Sequence, residues 1–210
     1  ICQKKMKEKY IKILLWPLIL FLSYLVINSI DSEITFQKEA KIRIDQNIQK
    51  LKDLRLLQVA YKKANNEFCD NFDTLLNFYF NDSLFIVKAE GETPDSLTDK
   101  QALEMGIISR DTSYVSVRET LFDEVYKKTR NNSFPIDENN MTKIPFADID
   151  YNIEAGVINK GNVNVQVFEI SATYKNVLFG LNAKNKKYDL EKLLKVGSMN
   201  EASLNGNWGE

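Results

Sequence analysis

The chain has 210 residues, 28 basic and 29 acidic side chains, no histidine, and a net charge of −1. This balance leaves no overall electrostatic footprint for nucleic acid, so no nucleic-acid partner is expected. The missing histidine removes the commonest general base and metal ligand. No nucleophile motif, glycine-rich phosphate loop or Cys-x-x-Cys pair takes its place, so neither an enzyme nor a bound cofactor is expected.

Residues 1–12 form a basic segment carrying Lys4, Lys5, Lys7, Lys9 and Lys12. The first methionine is Met6, and counted from there Lys7, Lys9 and Lys12 remain. An apolar run without charge follows over residues 13–30. A bilayer core needs roughly 20 predominantly apolar residues in a helix. Three readings fit such a run: an uncleaved anchor, a cleaved secretory signal, or the core helix of a soluble domain. A signal requires a small-residue cleavage site, and Val26-Ile27-Asn28-Ser29-Ile30-Asp31 has none. A core helix would carry more polar residues than Ser23, Asn28 and Ser29. The anchor is therefore the expectation, with Pro17 in the first turn or so of the span, where its missing N–H is tolerated. The lysine excess ahead of the span over Lys38, Lys41 and Arg43 behind it places the N-terminus in the cytoplasm. The expected location is the inner membrane, crossed once, with the C-terminal domain periplasmic.

Residues 31–66 read as a helical stalk. Ile44, Ile48, Leu51, Leu54, Leu57 and Tyr61 recur at three- and four-residue steps, the spacing of an amphipathic helix. The first half, with Lys38, Glu39, Lys41, Arg43 and Asp45, is suited to solvent, and the second half to packing on the chain's own domain. A two-stranded coiled coil fits less well, because the heptad through Ile48 and Leu51 next meets Arg55 and Gln58. Asn65-Asn66 is expected to end the helix.

Residues 67–196 are long enough for one domain with its own core. A short helix is expected over 72–79, capped by Asp70 or Asn71, then a strand over 84–88 and a loop with Pro94 over 91–97. Thr98-Asp99-Lys100-Gln101 matches a capping box and opens a helix ending near Gly106. A strand over 112–118 would turn Val115 and Val117 to the core and Tyr114, Ser116 and Arg118 away from it. Residues 121–128 read as a short helix or an irregular link, and 131–143 as a loop. Alternation over 149–154 and 163–167, with turn residues Asn159-Lys160-Gly161-Asn162 between, predicts a hairpin. A strand over 177–181 and a helix over 188–196 complete the domain, and residues 197–210 read as a flexible tail. The expected fold class is α+β: an N-terminal transmembrane helix continuing into a long amphipathic helix packed on a small, mainly antiparallel sheet.

Two clusters are candidates for binding. Asp148, Asp150, Asn152 and Glu154 present alternate oxygen ligands of the kind calcium takes. An EF-hand loop, however, requires glycine where Ile153 stands and glutamate where Asn159 stands, so a solvated strand face is the expectation and no metal is assigned. The acidic run Asp137, Glu138, Asn139 and Asn140 receives the same reading. The aromatics Phe72, Phe78, Tyr79 and Phe80 suit either core packing or a partner-binding groove. Cys2 precedes the span and Cys69 follows it, which excludes an internal disulfide under the anchor reading and makes Cys69 a small buried apolar residue.

The stretch Leu51-Lys52-Asp53-Leu54-Arg55-Leu56-Leu57-Gln58-Val59-Ala60-Tyr61, continuing to Asn65, Phe68, Phe72 and Leu75, resembles the end of the long first helix in type IV pilins and type II secretion pseudopilins. The likeness covers roughly residues 10–78 and extends to the order of parts: basic leader, membrane helix, amphipathic extension and small sheet domain. It implies a membrane-anchored structural subunit that bundles with copies of itself. The chain departs from the family's processing signal: Lys9-Tyr10-Ile11-Lys12-Ile13 has no glycine before the span, and the span holds no glutamate. The chain also resembles uncharacterised single-pass envelope proteins of Bacteroidetes-type bacteria. The expected function is a pseudopilin-like subunit of a bacterial envelope assembly. The alternative is a bitopic periplasmic binding module that docks a partner protein without self-assembly. The membrane, and either protein partners or further copies of the chain, are the expected partners.

Overall fold

The computed structural model describes residues 2–91, 98–131, 133–183 and 187–209. Residues 92–97 of the loop expected over 91–97 lie outside them. Helix α1 runs without a break over Cys2–Asn65, 64 residues, or about 96 Å at 1.5 Å per residue. Pro17 opens the apolar run, yet it is an interior residue of the helix, which begins upstream at Cys2. Lys62 and Lys63 in the last turn complement the negative end of the helix dipole. Asn66 then takes a left-handed conformation (φ 62°) and donates its N–H to the Lys62 carbonyl, ending the helix where the Asn pair predicts.

The fold is α+β, with this helix and two small antiparallel sheets. Helix α2 (Phe72–Asn81) is capped by Asn71, whose side chain accepts from the N–H groups of Asp73 and Thr74. Strand β1 (Ser83–Glu90) pairs with β2 (Ser109–Ser116) in full register, from Ser83 opposite Ser116 to Glu90 opposite Ser109. Between them lies α3 (Asp99–Glu104), opened by the Thr98–Gln101 capping box with both reciprocal bonds made. The chain then forms two short helices, α4 (Val117–Leu121) and α5 (Glu124–Thr129). The second sheet has the order β3–β4–β5, from Asn152–Lys160, Val163–Thr173 and Leu193–Gly197. Gly161 and Asn162, both at positive φ (58° and 69°), make the two-residue turn between β3 and β4. That is the primed turn whose twist matches paired strands.

Four expectations change. The strand expected over 112–118 ends at Ser116. Val117 begins α4 and is buried there, while Arg118 is exposed on the same helix. Residues 177–181 form no strand: Thr173 accepts the Asn176 N–H and starts the single-turn helix α6 (Tyr174–Val177). The helix expected over 188–196 is replaced by β5, whose Leu194 and Val196 pair with Ala172 and Ile170 of β4. Leu and Lys favour a helix locally, but ladder bonds and burial of Leu194 and Val196 against the core outweigh a preference of a few tenths of a kcal/mol per residue. Within the expected flexible tail over 197–210, residues 205–207 run back along β5. Asn207 donates its N–H to the Lys195 carbonyl and its side chain to the Leu193 carbonyl, Gly197 donates to Asn205, and Trp208 packs against the core.

The domain is built around α1 rather than beside it. Phe36 and Ala40 are already buried, followed by Leu51, Leu54, Leu57 and Ala60. The helix contacts α2, α4 and β1 as well as α6 and β5, so between residues 47 and 60 its buried positions extend around much of its circumference. Docking thus starts well before the midpoint of the expected stalk, because Phe36 meets Tyr188 (ring centroids 6.2 Å apart). The main core joins α1 to β4 and β5 through Phe168, Ile170, Leu194 and Val196, with Phe68 packed on Phe168 at 4.7 Å.

Gly197 tests this packing. It sits at φ 76°, and an added Cβ would lie 2.2 Å from the Phe168 carbonyl oxygen. Gly197→Ala is expected to destabilise the domain by about 2–3 kcal/mol through backbone strain and a forced shift of β4, measured by chemical denaturation of the full chain in detergent. Unchanged stability would show that β5 does not hold β4 in this register.

Candidate functional site

The clusters singled out in the sequence fall in separate places. Phe78 and Tyr79 are core residues: Phe78 meets Tyr61 edge-on at 5.2 Å and Tyr79 meets Phe122 at 5.6 Å. Phe72 is half-buried against the same core. Only Phe80 is exposed, with the Arg118 guanidinium 5.7 Å over its ring. The four aromatics therefore form no common groove. Asp148 receives the Lys143 ammonium, Asp150 the Thr142 hydroxyl at 2.7 Å, and Glu154 the Asn152 amide at 2.8 Å. Among the described residues no group of three or more acidic or cysteine side chains is placed to hold a metal ion. Asp137 caps a single 3-10 turn over Glu138–Asn140. Glu138 accepts the Tyr79 hydroxyl and pairs with Arg118 at 2.5 Å. Cys69 is buried, its N–H donating to the Gln58 side chain, which in turn donates to the Cys69 carbonyl.

The concentrated polar chemistry lies instead where α1 meets the 126–151 segment. Asp53 is buried and receives Arg130 through both Nε and Nη2, the latter at 2.7 Å. The same carboxylate accepts the Tyr126 hydroxyl at 2.6 Å and the Gln49 amide at 3.0 Å. Gln49 also accepts the Asn131 N–H, and Arg130 reaches the Phe134 and Asn131 carbonyls. Six residues before Asp53 on α1, Tyr151 donates to the buried Asn47 at 2.5 Å, and Asn47 donates to the Arg43 carbonyl. Each carboxylate oxygen of Asp53 is satisfied, which is the condition under which a buried pair is tolerated. The network clamps Tyr126, Arg130 and the backbone at Asn131 and Phe134 to the helix.

Beside the clamp lies an open cleft of about 470 Å³, within the size range of small-molecule sites. Its polar lining includes Lys50, Asp53, Arg130, Asp137, Lys143 and Asp148, and its apolar walls include Ile136, Met141 and Phe146. Phe146 and Asp148 both hold positive φ (69° and 50°), an uncommon conformation for such residues. Lys50 donates to the carbonyls of Asn140 and Lys143. Burial pushes its ammonium below the ordinary lysine range, against the attraction of Asp137, Asp53 and Asp150. The side-chain amide of Asn140 holds the Asp137 carboxyl below its usual range.

A different kind of surface lies on the β1–β2 ribbon. Phe85 and Tyr114 face one another at 5.7 Å and stay 57% and 74% exposed. Leu103, Met105 and Ile107, which follow from α3 toward β2, are exposed as well. The alternation that turns Tyr114 outward was legible in the sequence, but its cross-strand partner was not. No protein-family model, no curated protein and no solved structure matches the chain.

Removing one member of the clamp leaves a buried charge uncompensated. Asp53→Ala is expected to destabilise the domain by about 3–5 kcal/mol, with Asp53→Leu combined with Arg130→Met recovering part of the loss. Denaturant midpoints of the three variants measure this, and a loss below 1 kcal/mol in Asp53→Ala would mean the pair is not closed in solution. At alkaline pH, burial first and Asp53 second hold the Tyr126 hydroxyl above the usual tyrosine range, and burial does the same for Tyr151. A folded-state value raised above the unfolded one favours the folded chain at every pH below the unfolded value, about 10. This contribution is lost as pH climbs through the folded values. The contribution of these two hydroxyls is constant up to about pH 10 and falls above it, and the loss of stability above that pH should be smaller in Tyr126→Phe.

Proposed function

We propose that the chain is a single-pass membrane tether that holds a binding domain close to the bilayer, with no catalytic activity of its own. The observation that carries this reading is the continuity of α1. One unbroken helix contains an apolar stretch, none of it buried by the rest of the chain, and the residues at the centre of the domain. Only six positions separate Ile30, the last residue of the apolar run, from the buried Phe36. At 1.5 Å each, this is about 9 Å, comparable with the headgroup layer alone. The domain then cannot swing on a flexible linker and presents a constant face to its surroundings. The lysine bias supports a position on the periplasmic side of the inner membrane, and the exposed Phe85–Tyr114 ribbon offers an apolar edge for a partner protein.

A pseudopilin-like structural subunit is the second reading, favoured by the same unbroken helix. The enclosure of α1 over residues 47–60 by its own domain limits helix bundling between copies to the part of the helix before Asn47, and the processing glycine and glutamate are missing. The two readings separate by crosslinking in native membranes. The tether is expected to resist alkaline carbonate extraction and to be captured with a second protein, with capture falling about tenfold in Phe85→Ser combined with Tyr114→Ser, a loss of about 1.4 kcal/mol. Capture with further copies alone, unaffected by these substitutions, would favour the subunit, and release by carbonate would overturn both.

A further inference from the structure

The charges around the Lys50 cleft do not all pair among themselves. Three cations line it, Lys50, Arg130 and Lys143, with three carboxylates, Asp53, Asp137 and Asp148. Arg130 pairs with Asp53 and Lys143 with Asp148. Among the described residues, Lys50 and Asp137 are left with no opposite charge within ion-pair distance. Lys50 binds two main-chain carbonyls, which leaves one of its three N–H donors. Asp137 accepts the backbone and side-chain N–H groups of Asn140, at 3.3 and 2.9 Å, and the Asn139 backbone N–H also faces its carboxylate. The two side chains attract one another across the cleft without meeting.

We propose that this cleft binds a small zwitterion of the α-amino-acid class, its carboxylate on the Lys50 ammonium, its ammonium on Asp137, and an apolar substituent against Ile136, Met141 and Phe146. A simple anion would satisfy Lys50 but face Asp137, and a simple cation would face Lys50; a molecule carrying both charges completes both. The apolar wall selects a substituent of the leucine or phenylalanine kind over a charged one. The site is distinct from the Phe85–Tyr114 ribbon and does not depend on the membrane reading.

The test uses the purified full chain in detergent and calorimetric titration with leucine and phenylalanine, beside leucinamide, which lacks the carboxylate, and N-acetylleucine, which lacks the ammonium. Saturable binding of leucine or phenylalanine is expected, with both blocked analogues weaker by about tenfold or more. Asp137→Asn keeps an acceptor for the Asn140 N–H, and it should bring leucine and N-acetylleucine to nearly equal affinity. Lys50→Met should abolish the preference for a free carboxylate. Absence of saturable binding up to about 10 mM, a limit near −2.7 kcal/mol, would overturn the proposal. So would equal affinity for the blocked analogues, or discrimination unchanged in Asp137→Asn. Because no bilayer is involved, such a failure leaves the tether reading untouched.

Discussion

A buried polar side chain is costly unless it is hydrogen-bonded, and the rest of this structure depends on how four such side chains on α1 are met. Asn47, Gln49, Asp53 and Gln58 are buried on it together with Leu51, Leu54 and Leu57. Each polar side chain is met from a different part of the chain: Asn47 by Tyr151, Gln49 by the Asn131 backbone, Asp53 by Arg130 and Tyr126, and Gln58 by the Cys69 backbone. Apolar burial is roughly proportional to area and non-directional, so Leu51, Leu54 and Leu57 alone would tolerate sliding along the helix. The hydrogen bonds do not. A slip of one turn would leave a buried carboxylate and a guanidinium unpaired, at a cost of several kcal/mol. The apolar residues supply the drive to enclose the helix, and the polar ones set the position at which it stops.

That position has a consequence for the whole molecule. Since the enclosed segment and the apolar run belong to one continuous helix, the register that the Asp53 clamp sets also sets the height of the domain above the end of the run. A glycine or a second proline between Ile30 and Phe36 would have uncoupled the two, and the sequence there, Asp31-Ser32-Glu33-Ile34-Thr35, contains neither. The junction is helical throughout, and the Ser32 hydroxyl bonds back to the Ser29 carbonyl and the Gln37 amide donates to Glu33 along it. The same clamp forms one wall of the Lys50 cleft, where Asp53 and Arg130 neutralise one another and leave Lys50 and Asp137 as the lining charges without an ionic partner.

Much of the fold was legible because its signals are local. The helix end at Asn65, the Asn71 cap, the Thr98–Gln101 capping box and the Gly161–Asn162 turn each depend on residues within four positions of one another, where backbone sterics and short-range hydrogen bonds act. Strand β5 was not legible: Leu193-Leu194-Lys195-Val196 is compatible with helix or strand, and pairing with the distant strand β4, from Thr173 opposite Leu193 to Glu169 opposite Gly197, decides between them. The core roles of Phe78 and Tyr79 were open for the same reason, since Phe122 and Tyr61 are distant in sequence. The candidate site was least legible of all. Asp53 and Arg130 lie 77 residues apart, and neither is distinguishable from a surface charge until the chain brings them together.

The sequence by itself determined the apolar run, the helix that continues from it, the α+β class and the local turns and caps. These follow from periodicity and from steric preferences that act over a few residues. Only the tertiary structure decided that the helix docks from Phe36 and is enclosed between residues 47 and 60, that residues after Gly197 return along β5, and which charges are paired. Those outcomes depend on contacts between distant segments, where burial removes water and makes an unpartnered charge or carbonyl too costly to leave.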